Sequence, residues 1–201
     1  MKTIIRFSLF VVTFLALVPG SKAQTIVMNP RFDTYTACDS KNTQSFSSEK
    51  VLKTMNHTKR GNQKFEAFIQ FEMSKNDFRN RETILKATFR IYETGTGLQE
   101  EKGFTVAYLS ENGWNNTLSG AQRAELKLSS SPISRNIKSF RKDENAQGTW
   151  YEVDVTDIVK KSPERFISFR IFNKSGVDDP DALVFSSSEN KENAPELVLE
   201  F

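Results

Sequence analysis

Apolar and polar residues alternate along most of this chain with a period of two, the signature of half-buried β-strands. Phe65, Ala67, Ile69, Phe71 and Met73 share one face of a run in which Glu66, Gln70 and Glu72 lie opposite. Phe68 interrupts that polar face. Leu85, Ala87, Phe89 and Ile91 repeat the pattern, as do Ile167, Phe169 and Ile171 against Phe166, Ser168, Arg170 and Phe172. Further short strands are predicted at 24–28, 32–36, 104–109, 124–128, 150–155, 182–185 and 197–201. The segment 24–28 reads as an edge strand stopped by Asn29-Pro30. Asp154 to Lys161 reads as a strand running into one helical turn, with Thr156 as N-cap. The apolar closing segment is expected to pair inside a sheet. Many short strands separated by turn signals, with no long 3.6-residue period, predict an all-β fold. The expected architecture is a single antiparallel β-sandwich of jelly-roll type over residues 24–201.

Residues 1–23 break the pattern. Lys2 and Arg6 precede an apolar run from Phe7 to Val18, Pro19-Gly20 ends it, and Ser21-Lys22-Ala23 places small residues where a signal peptidase reads. The run is too short to span a bilayer comfortably. A cleaved signal peptide is expected, with a secreted or extracellular product (periplasmic in a bacterium) and no membrane span. The leader also carries Lys2, Arg6 and Lys22, which account for the formal charge of +3 on the full chain. The remainder is balanced, so a global basic field for nucleic acid is excluded and any anion site must be a local cluster. Cys38 is the one cysteine, which forbids an intrachain disulfide and leaves burial or an intermolecular bond.

Catalytic constellations are poor. His57 is the sole histidine and sits in a polar stretch, Asn56-His57-Thr58. A solvated loop histidine is its plain reading, and no triad or histidine-rich zinc site can be assembled around it. No enzyme is expected and no cofactor is required. Asp178, Asp179 and Asp181 form either a solvated acidic turn or an oxygen-ligand set for a structural Ca²⁺. Lys50, Lys53, Lys59, Arg60 and Lys64 make a basic cluster ahead of the clearest strand, and Arg135, Lys138, Arg141 and Lys142 a second. Such cations pair with carboxylates, unless they only decorate a solvated face. Tyr35, Trp114 and Tyr151 are candidate platforms for a pyranose ring. Core packing is the alternative for Trp114 and Trp150.

The C-terminal third carries a resemblance. Gly148-Thr149-Trp150-Tyr151-Glu152-Val153-Asp154-Val155-Thr156 is followed by a strand-like run, then by Val184-Phe185-Ser186-Ser187-Ser188-Glu189 and Ala194-Pro195-Glu196-Leu197-Val198-Leu199. Phe68-Ile69-Gln70-Phe71-Glu72-Met73 and Lys86-Ala87-Thr88-Phe89-Arg90-Ile91-Tyr92 stand upstream in the matching order. This succession resembles the DNRLRE domains, which include carbohydrate-binding module family 96. The resemblance implies a secreted β-sandwich that holds an extracellular polysaccharide without cutting it, with an acidic polymer such as alginate as the leading ligand. Lys53 matches the family's strand ending in Lys and is the main carry-over. Arg60 and Lys64 are its expected helpers, and Tyr35 or Trp114 would stack. The family's Ser-Arg-Glu reads Ser187-Ser188-Glu189 here, without the arginine. A secreted structural or adhesive protein that binds a surface or secreted protein is the alternative.

Overall fold

The computed structural model describes residues 24–57, 63–95, 103–126, 131–132, 138–140, 148–173 and 179–201. Among them are twelve strands, β1 (Thr25–Met28), β2 (Phe32–Ala37), β3 (Val51–His57), β4 (Gln63–Glu72), β5 (Lys86–Glu93), β6 (Phe104–Leu109), β7 (Ser131–Pro132), β8 (Lys138–Phe140), β9 (Thr149–Asp154), β10 (Phe166–Asn173), β11 (Asp179–Ser186) and β12 (Glu196–Glu200). Three short helices, α1 (Lys75–Arg79), α2 (Gly120–Glu125) and α3 (Thr156–Lys161), interrupt them. The signal peptide expected over 1–23, together with Arg60 and Asp178, lies outside the described residues. Among those residues no helix is long and apolar enough to cross a membrane.

All pairings are antiparallel. One layer runs β1–β12–β5–β9–β8 and the other β2–β4–β10–β6–β7. β3 and β11 join them along one side, β3 pairing with the start of β4 and β11 meeting β5 at Phe185 opposite Glu93. The inward faces are the ones the alternation marks. Phe89 of β5 stacks on Phe169 of β10 at 4.8 Å and meets Phe71 of β4 edge-on at 6.0 Å, so rings from the two layers interlock. Ala67, Ile69, Ile91, Ile167, Ile171, Leu197 and Leu199 complete this core with no exposed surface. The antiparallel all-β sandwich expected from the sequence is present. The pairing itself does not single out jelly-roll winding.

Four local expectations are corrected. Leu85 is 71% exposed, because β5 starts at Lys86 and a 3₁₀ turn at Arg81–Thr83 delivers Ile84 to the core in its place. Residues 120–125 form helix α2 in place of the strand expected at 124–128. Ser119 and Gln122 make a capping box that satisfies the first amides of that helix. His57 ends strand β3, opposite Gln63, and is not in a loop. Val155 occupies the cap position of α3, whereas the Thr156 hydroxyl accepts the amide of Ala87 at 2.9 Å and ties the helix to β5.

Phe68 explains its own irregularity. It points away from the main core into a second cluster with Leu109, Trp114 and Leu118, all on the outer face of the β4–β10–β6 layer. The segment 110–126 therefore folds over that face as a cover, and an apolar residue on a polar face marks where it lands.

Candidate functional site

The free edge of β2 organises the first candidate site. β2 pairs with β4 on one side. On the other, the segment 46–50 and the turn after β11 close over it. Phe46 stacks on Tyr35 at 4.3 Å, and the Tyr35 hydroxyl donates to Glu49 Oε2 at 2.8 Å. Lys53 Nζ donates to the Tyr35 oxygen at 3.1 Å and to Glu49 at 3.2 Å. The hydrogen bond from Lys53 to Tyr35, reinforced by Glu49, raises the ammonium pKa, so Lys53 is firmly cationic. Its side chain keeps about a third of its surface, 36%, open to solvent. An ammonium has three donors, and two are used in holding it still.

The turn after β11 lies against the same edge. Asp33 accepts the Ser188 amide at 2.6 Å and the Ser188 hydroxyl at 2.9 Å. The Ser187 hydroxyl donates to the Glu49 carbonyl at 2.7 Å, and the Ser187 amide to Lys50 at 3.2 Å. Burial pushes the Asp33 carboxyl up and the Ser188 bonds oppose it. Lys53 and Ser187-Ser188-Glu189, far apart in sequence, are thus brought together through Glu49.

A second cationic group stands at the start of β2. Arg31 and Arg165 both bond Glu72, Arg31 at 3.2 Å. The Arg31 guanidinium lies 4.8 Å from the centres of the Phe32 and Phe166 rings, and Arg165 lies 5.2 Å from Phe166. Cation–π contact and a shared carboxylate fix both guanidiniums while more than a third of each side chain stays exposed. Asn112 bonds the neighbouring Glu164 at 3.2 Å.

A third cluster is buried under α2. Arg123 of that helix and Arg170 of β10 both grip the Glu66 carboxylate of β4, Arg123 through Nη2 at 2.7 Å and Nε at 3.0 Å. Burial pushes the Glu66 carboxyl up, but Arg170 and Arg123 outweigh it and hold the group below the usual carboxylate range. Cys38 sits beside this triad. Its burial and the Glu66 carboxylate push the thiol pKa up to about 12. Thiolate is the reactive form, so at pH 8 native Cys38 is expected to be alkylated roughly a thousandfold more slowly than in the unfolded chain. Iodoacetamide labelling with and without urea checks this, and equal rates would contradict the burial.

The model of carbohydrate-binding module family 96 matches residues 24–201, nearly the whole chain. The chain belongs to carbohydrate-binding module family 96. No curated protein matches it. For this family 96 module the sequence-predicted residues fall into three settings. Lys53 is held at the β2 edge. Lys64 is exposed at the start of β4, opposite Asn56, and Arg60 lies outside the described residues. Tyr35 and Trp114 do not stand as open stacking platforms. Tyr35 is 2% exposed with Phe46 over its ring, and Trp114 is 6% exposed, packed edge-on against Phe68 with its Nε1 donating to Ser168. Both rings serve the packing, and Tyr35 contributes through its hydroxyl.

The second basic group of the sequence lies largely outside the described residues, with Lys138 at the start of β8. Asp179 opens β11 opposite Asn56 and Asp181 follows within the strand. Arg31 and Arg165 were not legible beforehand. Each stands just outside a strand next to a Phe, and only the register that sets Glu72 opposite Phe166 brings them together.

Proposed function

We propose that this family 96 module is a secreted, non-catalytic binder of an acidic extracellular polysaccharide such as alginate. Lys53 is its principal contact. The observation that carries the reading is the fixed, partly exposed Lys53 ammonium, clamped by Tyr35 and Glu49 beside the Ser187–Glu189 turn. A charge held in place loses little conformational freedom when a carboxylate arrives, so more of the pairing energy is retained as affinity. Arg31 and Arg165 support the same ligand class, since a guanidinium pairs with a carboxylate through a planar fork. Arg31 stands just ahead of the strand that carries Tyr35, about 13 Å from that tyrosine at 3.3 Å per strand residue, and Arg165 just ahead of β10.

A charged hydrogen bond contributes about 1.5–3 kcal/mol. Lys53→Ala is therefore expected to weaken binding to an oligouronate about tenfold or more while shifting stability by less than about 1 kcal/mol, as for other exposed ion pairs. Isothermal titration with an oligouronate, alongside urea denaturation, tests this. Unchanged affinity would remove Lys53 from the site.

A further inference from the structure

We propose that Gln24 is a modification site: once the leader is removed, this residue closes on its own α-amine to pyroglutamate and caps the start of β1. The leader ends Ser21-Lys22-Ala23, so cleavage after Ala23 makes Gln24 the first residue. Two independent observations put the start of the folded module at the same place. The family match begins at residue 24. The main-chain carbonyl of Gln24 accepts the Phe201 amide at 2.9 Å, one step beyond the Thr25–Glu200 pair that opens the β1–β12 ladder.

Gln24 and Thr25 are both exposed. The hydrogen bond to Phe201 engages the Gln24 carbonyl and neither of the reacting atoms, so the fold anchors the residue and leaves its chemistry open. The α-amine and the side-chain carboxamide belong to one residue, which makes their encounter intramolecular. An α-amine has an ordinary pKa of about 7.7–8.0, so roughly a tenth is unprotonated at pH 7. Its nitrogen attacks Cδ. The N–Cδ bond forms, the Cδ–Nε2 bond breaks, and one amine proton leaves with Nε2 as ammonia. The step is neither oxidation nor reduction and needs no second reactant.

The product fits the sheet. The lactam ring fixes the torsion about N–Cα, as a proline ring does, but no residue precedes Gln24 to be displaced. The carbonyl that receives the Phe201 amide is untouched. The cationic α-amine is replaced by a neutral amide, which an aminopeptidase cannot grip. That matters at this position because β1 has one partner, β12, among the described residues, and its Ile26 and Met28 pack against the core. Trimming Gln24 would leave the Phe201 amide without its acceptor and begin to erode the strand.

This inference rests on the secreted reading with cleavage after Ala23, and is independent of what the module binds. The test expresses the full chain with its own leader in a secreting host and recovers the product in mildly acidic buffer, which keeps any free amine protonated during handling. Intact mass, fragmentation of the first peptide and Edman degradation are then read. The expected product starts at residue 24, is lighter by one ammonia than its sequence and is blocked to Edman degradation. Pyroglutamyl aminopeptidase, applied after denaturation, should restore a signal reading Thr25-Ile26-Val27-Met28. Gln24→Ala is expected to have its full mass, to give Ala in the first cycle, and to lose residues to a broad aminopeptidase that leaves the wild type whole. A product that starts at residue 24 with Gln24 unmodified would overturn this inference and leave secretion standing. A product that keeps the leader or starts elsewhere would overturn the cleavage reading and the inference with it. Equal trimming of wild type and Gln24→Ala would overturn the capping role.

Discussion

Glu66→Gln is expected to cost the module about 3–5 kcal/mol, because it leaves the Arg123 and Arg170 guanidiniums packed around a group that no longer neutralises them. That is a large part of the 5–15 kcal/mol that typically separates folded from unfolded domains. Urea denaturation at pH 7 measures it, and a loss under about 1 kcal/mol would show that the triad is not holding α2 down. The acid limb gives an independent sign. Glu66 has a folded pKa below its unfolded value, so its contribution is fully present above about pH 4.3, the ordinary glutamate value. It is lost as pH falls through the folded pKa. The gap between wild type and variant should therefore narrow below pH 4. Release of α2 should also open Cys38 to alkylation, since the thiol lies beside the same triad.

Deleting residues 197–201 is expected to abolish cooperative unfolding altogether. β12 lies between β1 and β5, hydrogen-bonded on both sides, with Leu197 and Leu199 fully buried. Loss of a buried leucine side chain alone costs about 2–5 kcal/mol. Deleting the strand removes two of them and both ladders, leaving β1 without a partner. Near-ultraviolet circular dichroism through a thermal scan should show no sigmoidal transition. A transition at the wild-type temperature would contradict the central position of β12.

The layered fold was legible because the inward residues of β4, β5 and β10 alternate without interruption and both layers draw on the same apolar types. What local pattern could not supply was register. Glu66, Arg123 and Arg170 are polar residues on three separate elements, and only antiparallel pairing of β4 with β10 puts them around one carboxylate. The capping box Ser119-Gly120-Ala121-Gln122 is a readable helix signal, which the short apolar alternation after it obscures. Tyr35 shows the limit of reading aromatics as platforms. A half-polar ring on a strand looks the same in sequence whether Phe46 covers it or not.

Family resemblance singled out Lys53, and the structure adds the reason it is fixed, the pair of bonds to Tyr35 and Glu49. Glu49 lies in a polar stretch with no strand pattern, so nothing local marked it as a clamp.

The most direct measurement is native affinity electrophoresis of residues 24–201 through gels containing alginate, pectin, a neutral glucan or no polymer. Binding at the β2 edge predicts retardation by alginate or pectin that weakens as salt screens the Lys53 and arginine charges and is reduced in Lys53→Ala. Equal mobility in the uronate gels and the polymer-free gel would contradict the account.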